Sequence, residues 1–458
     1  MFRKILIANR GEIAVTVIRA CREMGIRTVA VCSEADRKAL HAQLADECVC
    51  IGPDASKDSY LNMQAILSAC LTTGAEAIHP GFGFLSENPV FARLCEKCQI
   101  KFIGPTAQVM DQMGNKANAR KTAEQAGIPV IPGSQGAVLD IAAAKRDAER
   151  IGYPVLVKAS QGGGGRGMRV ANSEFELAGA FQMAKTEARA CFGDDEVYIE
   201  KLIIQPRHIE IQLLCDEYGH VVHLGDRDCS VQRRNQKIIE EASSPFMTDD
   251  LRIQMGEAAV CLARKIHYTG VGTIEYLVDA DRNFYFMEMN TRIQVEHPIS
   301  EAITGVNLIQ EQIRVAAGEI LRYSQREIVF RGHSIECRIN AEDPENDFRP
   351  CPGKIETLHL PGGQGVRIDS AIYQGYTVPP FYDSLLAKVI VWAPTREEAI
   401  VRMRRTLMEF MITGVKTNID FHLAILREQD FVRGNYDNTY LERKREILLP
   451  AKAPVEGV

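Results

Sequence analysis

Glu288, Asn290, Arg292, Gln294 and Glu296 occupy every second position of the stretch EMNTRIQVEHP, residues 288–298. Such alternation is often the solvated face of an edge strand. Phe284, Tyr285 and Phe286, just before it, are too apolar for an edge in water, so the spacing predicts a strand that carries Glu288 and Asn290 out of a core. Upstream, TIEYLV and NFYFMEMN are separated by DADR and predict a hairpin. A turn centred between Ala280 and Asp281 sets Glu275 opposite Phe286, which makes Glu275 and Glu288 diagonal neighbours on one face, about 7–8 Å apart at Cα. Two carboxylates on that diagonal can share a divalent cation, and Asn290 adds a neutral oxygen from the same face. An all-oxygen set of so few protein ligands suits magnesium, whose other ligands come from water and nucleotide phosphates. A one-residue slip would put the two glutamates on opposite faces, leaving surface carboxylates as the alternative.

A nucleotide requires a phosphate-binding element. Gly162, Gly164 and Gly167 fit GxGxxG after the strand YPVLVKAS, but the dinucleotide fingerprint needs a helix to open at the last glycine, and MRVANS is strand and turn. A strand, glycine loop and strand instead form a flap whose bare N–H groups can close over phosphates, with Lys158 just before it. No GxxxxGK[ST] motif occurs, which excludes a P-loop. HIEIQLL sets His208, Glu210 and Gln212 opposite Ile209, Ile211 and Leu213; His208 reads equally as structural or as a ligand. CSVQRRNQK gathers Arg233, Arg234 and Lys237, either a solvated run or an anion site in an acidic protein.

The elements that position these groups follow from the rhythm of the chain. Its 458 residues predict about three domains at roughly 150 residues each. KILIANRG, TVAVCS, ECVCIG, AEAIHPG and KFIGP alternate with helical segments and predict a doubly wound parallel sheet over residues 1–113. Residues 114–330 carry a flap over about 131–202, a helix opened by a capping box of Ser173 and Glu176, and an antiparallel sheet. Residues 331–447 hold the strands HSIECRI, KIETLHL and AKVIVWA and a helix around REEAIVRMRRTLMEF. The fold class is therefore α/β followed by α+β. A net charge of -6 gives no global field for nucleic acid or an anionic membrane. The 13 cysteines are scattered, and the lone CxxC at Cys95 and Cys98 lacks a second pair for zinc, so reduced thiols are expected. No apolar run approaches a membrane span, and ILIA is too short for a signal peptide, so a cytoplasmic location is expected.

In this order, NRGEIA, HPGFGFLSEN, MGNK, GGGGRGMR, EMNTRIQVEHP and GHSIECRINAED closely resemble the biotin carboxylases of the ATP-grasp superfamily, over the chain to about residue 447. The resemblance implies an ATP-grasp fold and an enzyme that phosphorylates bicarbonate with ATP to carboxyphosphate and passes its CO2 to N1 of biotin. It implies phosphate and nucleotide contacts from Lys116, Lys158, His208, Gln232 and Asn235, and from the loop Gly163, Gly164, Gly165, Arg166 and Gly167. Glu200, Lys201 and Ile203 resemble the adenine-binding segment. Glu275, Glu288 and Asn290 resemble the ligands of two magnesium (or manganese) ions. Lys237, Arg292, Gln294, Val295 and Glu296 resemble the bicarbonate pocket, with Glu296 as general base and Arg292 as the orienting clamp. Arg338 resembles the group that stabilises the enolate-like oxygen of biotin, with Phe82 nearby.

Asn235 stands where the family usually has His, Phe82 where it has Tyr, Gln161 where it has Gly, and ASSP at 242–245 where it has Ala-Pro-Ala-Pro. No Met-Lys-Met signature is present, so biotin is expected on a separate carrier protein, with carboxyltransferase subunits as further partners and a homodimer as the assembly. Acetyl-CoA carboxylase in fatty acid synthesis is the expected setting; the corresponding subunit of a two-subunit pyruvate carboxylase or another acyl-CoA carboxylase is the alternative. Arg338 and the third region disfavour a different ATP-grasp ligase. A nucleotide sensor without catalysis would lack Glu296, Arg292 or Lys237, and all three are present.

Overall fold

In the computed structural model, which describes residues 1–134, 136–159, 168–192 and 195–449, the expected βαβ rhythm becomes a five-stranded parallel sheet. Its strands are β1 (Lys4–Ile7), β2 (Arg27–Ser33), β3 (Glu47–Gly52), β4 (Ala77–His79) and β5 (Lys101–Phe102), in the order β3-β2-β1-β4-β5. Helices cover the faces, so Ile5, Leu6, Ile7, Val29 and Val31 are all fully buried, as parallel strands require. The order reverses at β1, and the crevice beyond the carboxyl ends of β1 and β4 is where such sheets present side chains. The segment 80–88, which carries Phe82 and Glu87, leaves β4 there, and Asn9 ties it down by donating to the carbonyls of Pro80 and Phe82, both at 2.7 Å.

The expected flap sheet comprises β6 (Val155–Ala159), β7 (Met168–Ala171) and β8 (Val197–Lys201), with β6 central and antiparallel to both neighbours. The glycine-loop residues Gly163, Gly164, Gly165, Arg166 and Gly167, with Gln161, lie outside the described residues. After β7 the helix Glu174–Phe192 begins, and the Glu176 carboxylate reaches back to the backbone and side-chain amides of Asn172, both at 2.9 Å, one residue before the expected partner Ser173.

The remaining long strands form one eight-stranded antiparallel sheet. These are β9 (Arg207–Cys215), β10 (Val221–Arg233), β11 (Gln236–Ala242), β12 (Gly270–Val278), β13 (Phe284–Asn290) and β14 (His333–Asn340), joined by the strands Leu385–Ala393 and Val366–Ser370. The order is β13-β12-β9-β10-β11-β14, then Leu385–Ala393, then Val366–Ser370. The boundary expected near residue 331 therefore runs through a continuous sheet: β14 pairs with β11 and satisfies backbone groups that would otherwise form an open edge. KIETLHL, expected as one strand, supplies two-residue strands at Gly353–Lys354 and Leu358–His359.

Directly paired residues share a face of a sheet, and the register assembles one polar face across these strands. Asn290 pairs Thr273, Glu288 pairs Glu275, Glu275 and Arg227 each pair Glu210, Glu336 pairs Glu240, and Lys388 pairs both Arg338 and Asp369. The opposite face is apolar. Ile209, Ile211, Leu213, Ile274 and Tyr276 pack under the helix Asp249–Lys265. Ile335, Cys337, Ile339, Val389 and Val391 pack under the helix Arg396–Glu409.

The hairpin that joins Glu275 to Glu288 differs from the expected register in an instructive way. The turn is a five-residue loop from Asp279 to Asn283, which sets Val278 opposite Phe284 and Tyr276 opposite Phe286. That is one residue away from the expected pairing, and continued unbroken it would put Glu288 on the apolar side. A bulge between Tyr276 and Glu275 takes up Met287 as an extra residue and sets Glu275 directly opposite Glu288. The two carboxylates are therefore direct cross-strand partners rather than diagonal ones.

Of the described cysteines, seven are buried, and Cys95 lies in the core while Cys98 is half-buried. Cys32 and Cys48 touch across β2 and β3 with sulfurs 3.4 Å apart, as free thiols. Among the described residues, no helix is long and apolar enough to cross a membrane.

Candidate active site

The polar face converges on Lys237, near the start of β11. Its ammonium touches three carboxylates: Glu296 Oε1 at 2.6 Å, Glu210 Oε2 at 2.7 Å and Glu275 Oε1 at 3.1 Å. The second oxygen of Glu296 accepts from Arg338 Nη2 at 2.9 Å, and Arg338 Nε donates to Glu240 Oε1 at 2.6 Å. Glu296 is thus held between two cations, one on β11 and one on β14. Burial alone would raise its carboxyl, but Lys237, Arg338 and Arg227 outweigh burial and hold it well below the ordinary range. Burial likewise opposes the charge on Lys237, and the surrounding acidic groups overcome it, so the ammonium stays protonated.

Glu275 is the second hub. Oε1 accepts from Gln294 Nε2 at 2.7 Å and Asn290 Nδ2 at 2.9 Å, and Oε2 lies 2.8 Å from His208 Nε2. On its far side the His208 ring meets the Gln232 amide, Nδ1 to Nε2 at 2.9 Å, so both expected nucleotide contacts belong to one chain of groups. Lys116 lies 3.9 Å from Glu288, and burial and the facing Glu275 raise the Glu288 carboxyl. Two facing carboxylates, one of them raised by the other, form a place that a divalent cation would relieve, so Glu275 and Glu288 fit the expected metal. Asn290 Oδ1 accepts from Arg292 Nη2 at 2.9 Å, which leaves its second lone pair for a cation.

Past Asn290 the strand ends, and residues 291–296 belong to neither strand nor helix. The alternation of Arg292, Gln294 and Glu296 is therefore not a strand face; those side chains are gathered by partners elsewhere. Arg292 donates through Nε to Glu87 Oε2 at 2.8 Å and through Nη1 to the carbonyl of Ile293 at 3.1 Å. Gln294 accepts from Arg227, and Val295 accepts at its carbonyl from Lys388. Phe82 packs half-buried on the apolar cluster that includes Ile293.

Nearer the flap, Lys158 contacts Glu200 Oε2 at 2.5 Å, and Arg120 donates to Glu200 Oε1 at 3.2 Å. The Lys201 ammonium donates to the carbonyls of Gly152 and Tyr153, and Ile203 follows, half-buried. Asn235 sits at the exposed tip of the β10–β11 hairpin. Both central residues, Arg234 at φ 49° and Asn235 at φ 63°, are left-handed, and Asn is well suited to that conformation. The asparagine thus has a backbone reason in addition to any contact with a nucleotide.

Residues 1–110 match the family described as "Biotin carboxylase, N-terminal domain", 115–324 match "Carbamoyl-phosphate synthase L chain, ATP binding domain", and 336–443 match "Biotin carboxylase C-terminal domain". A "Biotin carboxylase" from Nostoc sp. is 57% identical over 441 residues, covering 96% of this chain and 99% of that protein. The chain belongs to the biotin carboxylase family. It is an ATP-dependent ligase of that family, with the ATP-grasp fold. A pyruvate carboxylase subunit from Methanothermobacter thermautotrophicus is 55% identical over 445 residues, covering 97% of this chain and 90% of that one. The biotin carboxylase domain dimer of the Hydrogenobacter thermophilus 2-oxoglutarate carboxylase, solved with MgADP, ADP and bicarbonate, is 51% identical with a TM-score of 0.92, covering 98% of this chain and 99% of that one.

Against this family background, several partners that sequence reasoning missed stand out. Arg227 is fully buried and bridges Glu210, Gln212, Thr273, Gln294 and Ser300. Its sequence context, between Asp226 and Asp228, reads as an ordinary charged run and gives no sign of burial. Glu240 behind Arg338 and Glu87 behind Arg292 carried no local signal, because each partner lies far away along the chain.

Proposed function

We propose that this chain carboxylates biotin on a separate carrier protein with MgATP and bicarbonate, as the first half-reaction of acetyl-CoA carboxylase in fatty acid synthesis. The observation that carries the reading is the buried, ionised Glu296 between Lys237 at 2.6 Å and Arg338 at 2.9 Å. An ionised carboxylate can take the proton of bicarbonate, and the flanking cations, with Arg292, can hold the anion that results. The bicarbonate oxygen then attacks the γ-phosphorus and ADP leaves. Carboxyphosphate breaks into CO2 and inorganic phosphate, the phosphate accepts the N1 proton of biotin, and N1 bonds to the CO2 while Arg338 faces the charge on the ureido oxygen. Lys116, Lys158, His208, Gln232, Asn235 and the segment Glu200–Ile203 would contact the nucleotide, and Phe82 would lie beside biotin. A divalent cation held by Glu275, Glu288 and Asn290 would supply positive charge to the phosphates. Three segments, 1–113, 114–330 and 331–447, share this work in a cytoplasmic homodimer; support for the assembly is the dimer solved for the Hydrogenobacter relative.

A second reading, the corresponding subunit of a pyruvate carboxylase or another acyl-CoA carboxylase, is favoured by the Methanothermobacter relative at 55% identity. The acceptor in either case is chosen by a different polypeptide. ADP release from MgATP tests the biotin carboxylation that both readings share. Dependence on bicarbonate, with acceleration by free biotin or by a biotinylated carrier, is expected; turnover indifferent to both would end the reading.

Two variants probe the nucleotide end. Glu288→Gln is expected to raise the magnesium concentration for half-maximal ADP release by at least about tenfold; an unchanged magnesium titration would remove Glu288 from the metal set. Asn235→His keeps a residue that tolerates the left-handed turn and is expected to lower the KM for ATP. An unchanged KM would show that this turn does not reach the nucleotide.

A further inference from the structure

We propose that Lys388, in the strand Leu385–Ala393, is a positioning residue of the carboxylation site. It holds the carbonyl of Val295 and so sets the turn that presents Val295 and Glu296 to bicarbonate. The inference rests on reading residues 292–296 as the bicarbonate pocket.

Lys388 is fully buried, and its ammonium donates to Val295 O at 2.9 Å and lies 3.1 Å from Glu12 Oε1 and 3.8 Å from Asp369 Oδ2. Burying an ammonium costs several kcal/mol, and an apolar side chain would fill the same space in the sheet. The carbonyl contact identifies a task that an apolar side chain could not perform.

Residues 291–296 lie between β13 and the helix His297–Thr304, where neither a ladder nor a helix holds the backbone. Three successive carbonyls are held by side chains instead. Ile293 O accepts from Arg292 at 3.1 Å, Gln294 O faces His297 Nδ1 at 2.8 Å, and Val295 O accepts from Lys388. Arg292 lies within the same stretch, and His297 opens the helix that follows it. Lys388 instead anchors the turn to the eight-stranded sheet, 93 positions further along the chain.

The anchored carbonyl belongs to the peptide that joins Val295 to Glu296. A peptide is planar and trans, so fixing the direction of its oxygen also fixes the opposite direction of the Glu296 N–H and the position of Glu296 Cα, from which the side chain springs. An error of about 1 Å in a reacting group can cost about 10²-fold in rate.

Glu12 completes the device. It sits in the first turn of the helix Gly11–Glu23, is itself buried, and among the described residues neither of its carboxylate oxygens has a hydrogen bond. Lys388 is its ion-pair partner. The pair ties the N-terminal segment, the third segment and the bicarbonate turn together at one ammonium.

The test compares wild type, Lys388→Met, Lys388→Arg and the charge-neutral double variant Glu12→Gln/Lys388→Met, each assayed as the full chain for ADP release against bicarbonate and against MgATP. Bicarbonate-dependent turnover by the wild type that is lost in Glu296→Gln supports the reading on which the inference rests; its absence, or its survival in Glu296→Gln, would be a failure of that reading and not of this one. Given that turnover, kcat/KM for bicarbonate is expected to fall about 10- to 100-fold in Lys388→Met and equally in the double variant, with the KM for ATP unchanged. Recovery of wild-type kcat/KM in the double variant would mean that Lys388 merely neutralises Glu12, and would overturn the proposal. A parallel loss toward bicarbonate and ATP would also overturn it. If Lys388→Met fails to fold, the double variant carries the test. If that fails too, Lys388→Arg, which keeps the charge but moves the donor, must show the same selective loss toward bicarbonate.

Discussion

Glu296→Gln lowers bicarbonate-dependent ADP release by about 10²- to 10⁴-fold, the range for loss of a general base, and leaves the KM for ATP nearly unchanged. The amide has the shape of the carboxylate but cannot take a proton from bicarbonate. The fold survives, because both cations keep other partners: Lys237 retains Glu210 at 2.7 Å and Glu275 at 3.1 Å, and Arg338 retains Glu240 at 2.6 Å. Steady-state ADP release at saturating ATP, checked beside an unfolding curve, separates lost chemistry from lost structure. A variant within tenfold of wild type would take the base role away from Glu296.

Arg227→Met destabilises the protein by about 3–5 kcal/mol, the cost of breaking a buried ion pair by removing one partner. The guanidinium is fully buried and reaches Glu210 Oε1 at 2.5 Å, Gln212 Oε1 at 2.5 Å, Gln294 Oε1 at 2.7 Å, Ser300 Oγ at 3.0 Å and Thr273 Oγ1 at 3.1 Å. These acceptors come from β9, β12, the turn after β13 and the helix His297–Thr304, so one side chain ties four pieces of the site together. Methionine fills the volume but leaves those oxygens buried without a donor. Lysine keeps the charge yet cannot spread donors over five acceptors, so Arg227→Lys is expected to recover only part of the loss. Denaturant midpoints measure both variants; a shift of less than about 1 kcal/mol, the scale of an exposed pair, would show that the network is not what holds these elements together.

Much of this was legible in the amino-acid order because it depends on local periodicity. The runs KILI and TVAVCS specify strands buried on both faces. The alternation of His208, Glu210 and Gln212 with Ile209, Ile211 and Leu213 specifies a strand with one polar face, because side chains in a strand point to opposite sides in turn. The same period of two brought Glu288 and Asn290 to one side of β13.

Tertiary structure alone decided the pairings. Periodicity says which face a residue occupies but not which strand lies beside it, so nothing local to Glu296 named Lys237 and Arg338, and nothing near Val295 named Lys388. The hairpin shows the limit most sharply. The turn sets a register that would separate Glu275 from Glu288, and a bulge at Met287 brings them back together. The presence of a bulge is decided by packing on both faces of the finished sheet, Phe286 and Met289 beneath and Glu275 and Asn290 above. Residue types and their spacing determined the chemistry this chain could do; the contacts between distant strands determined which side chains meet to do it.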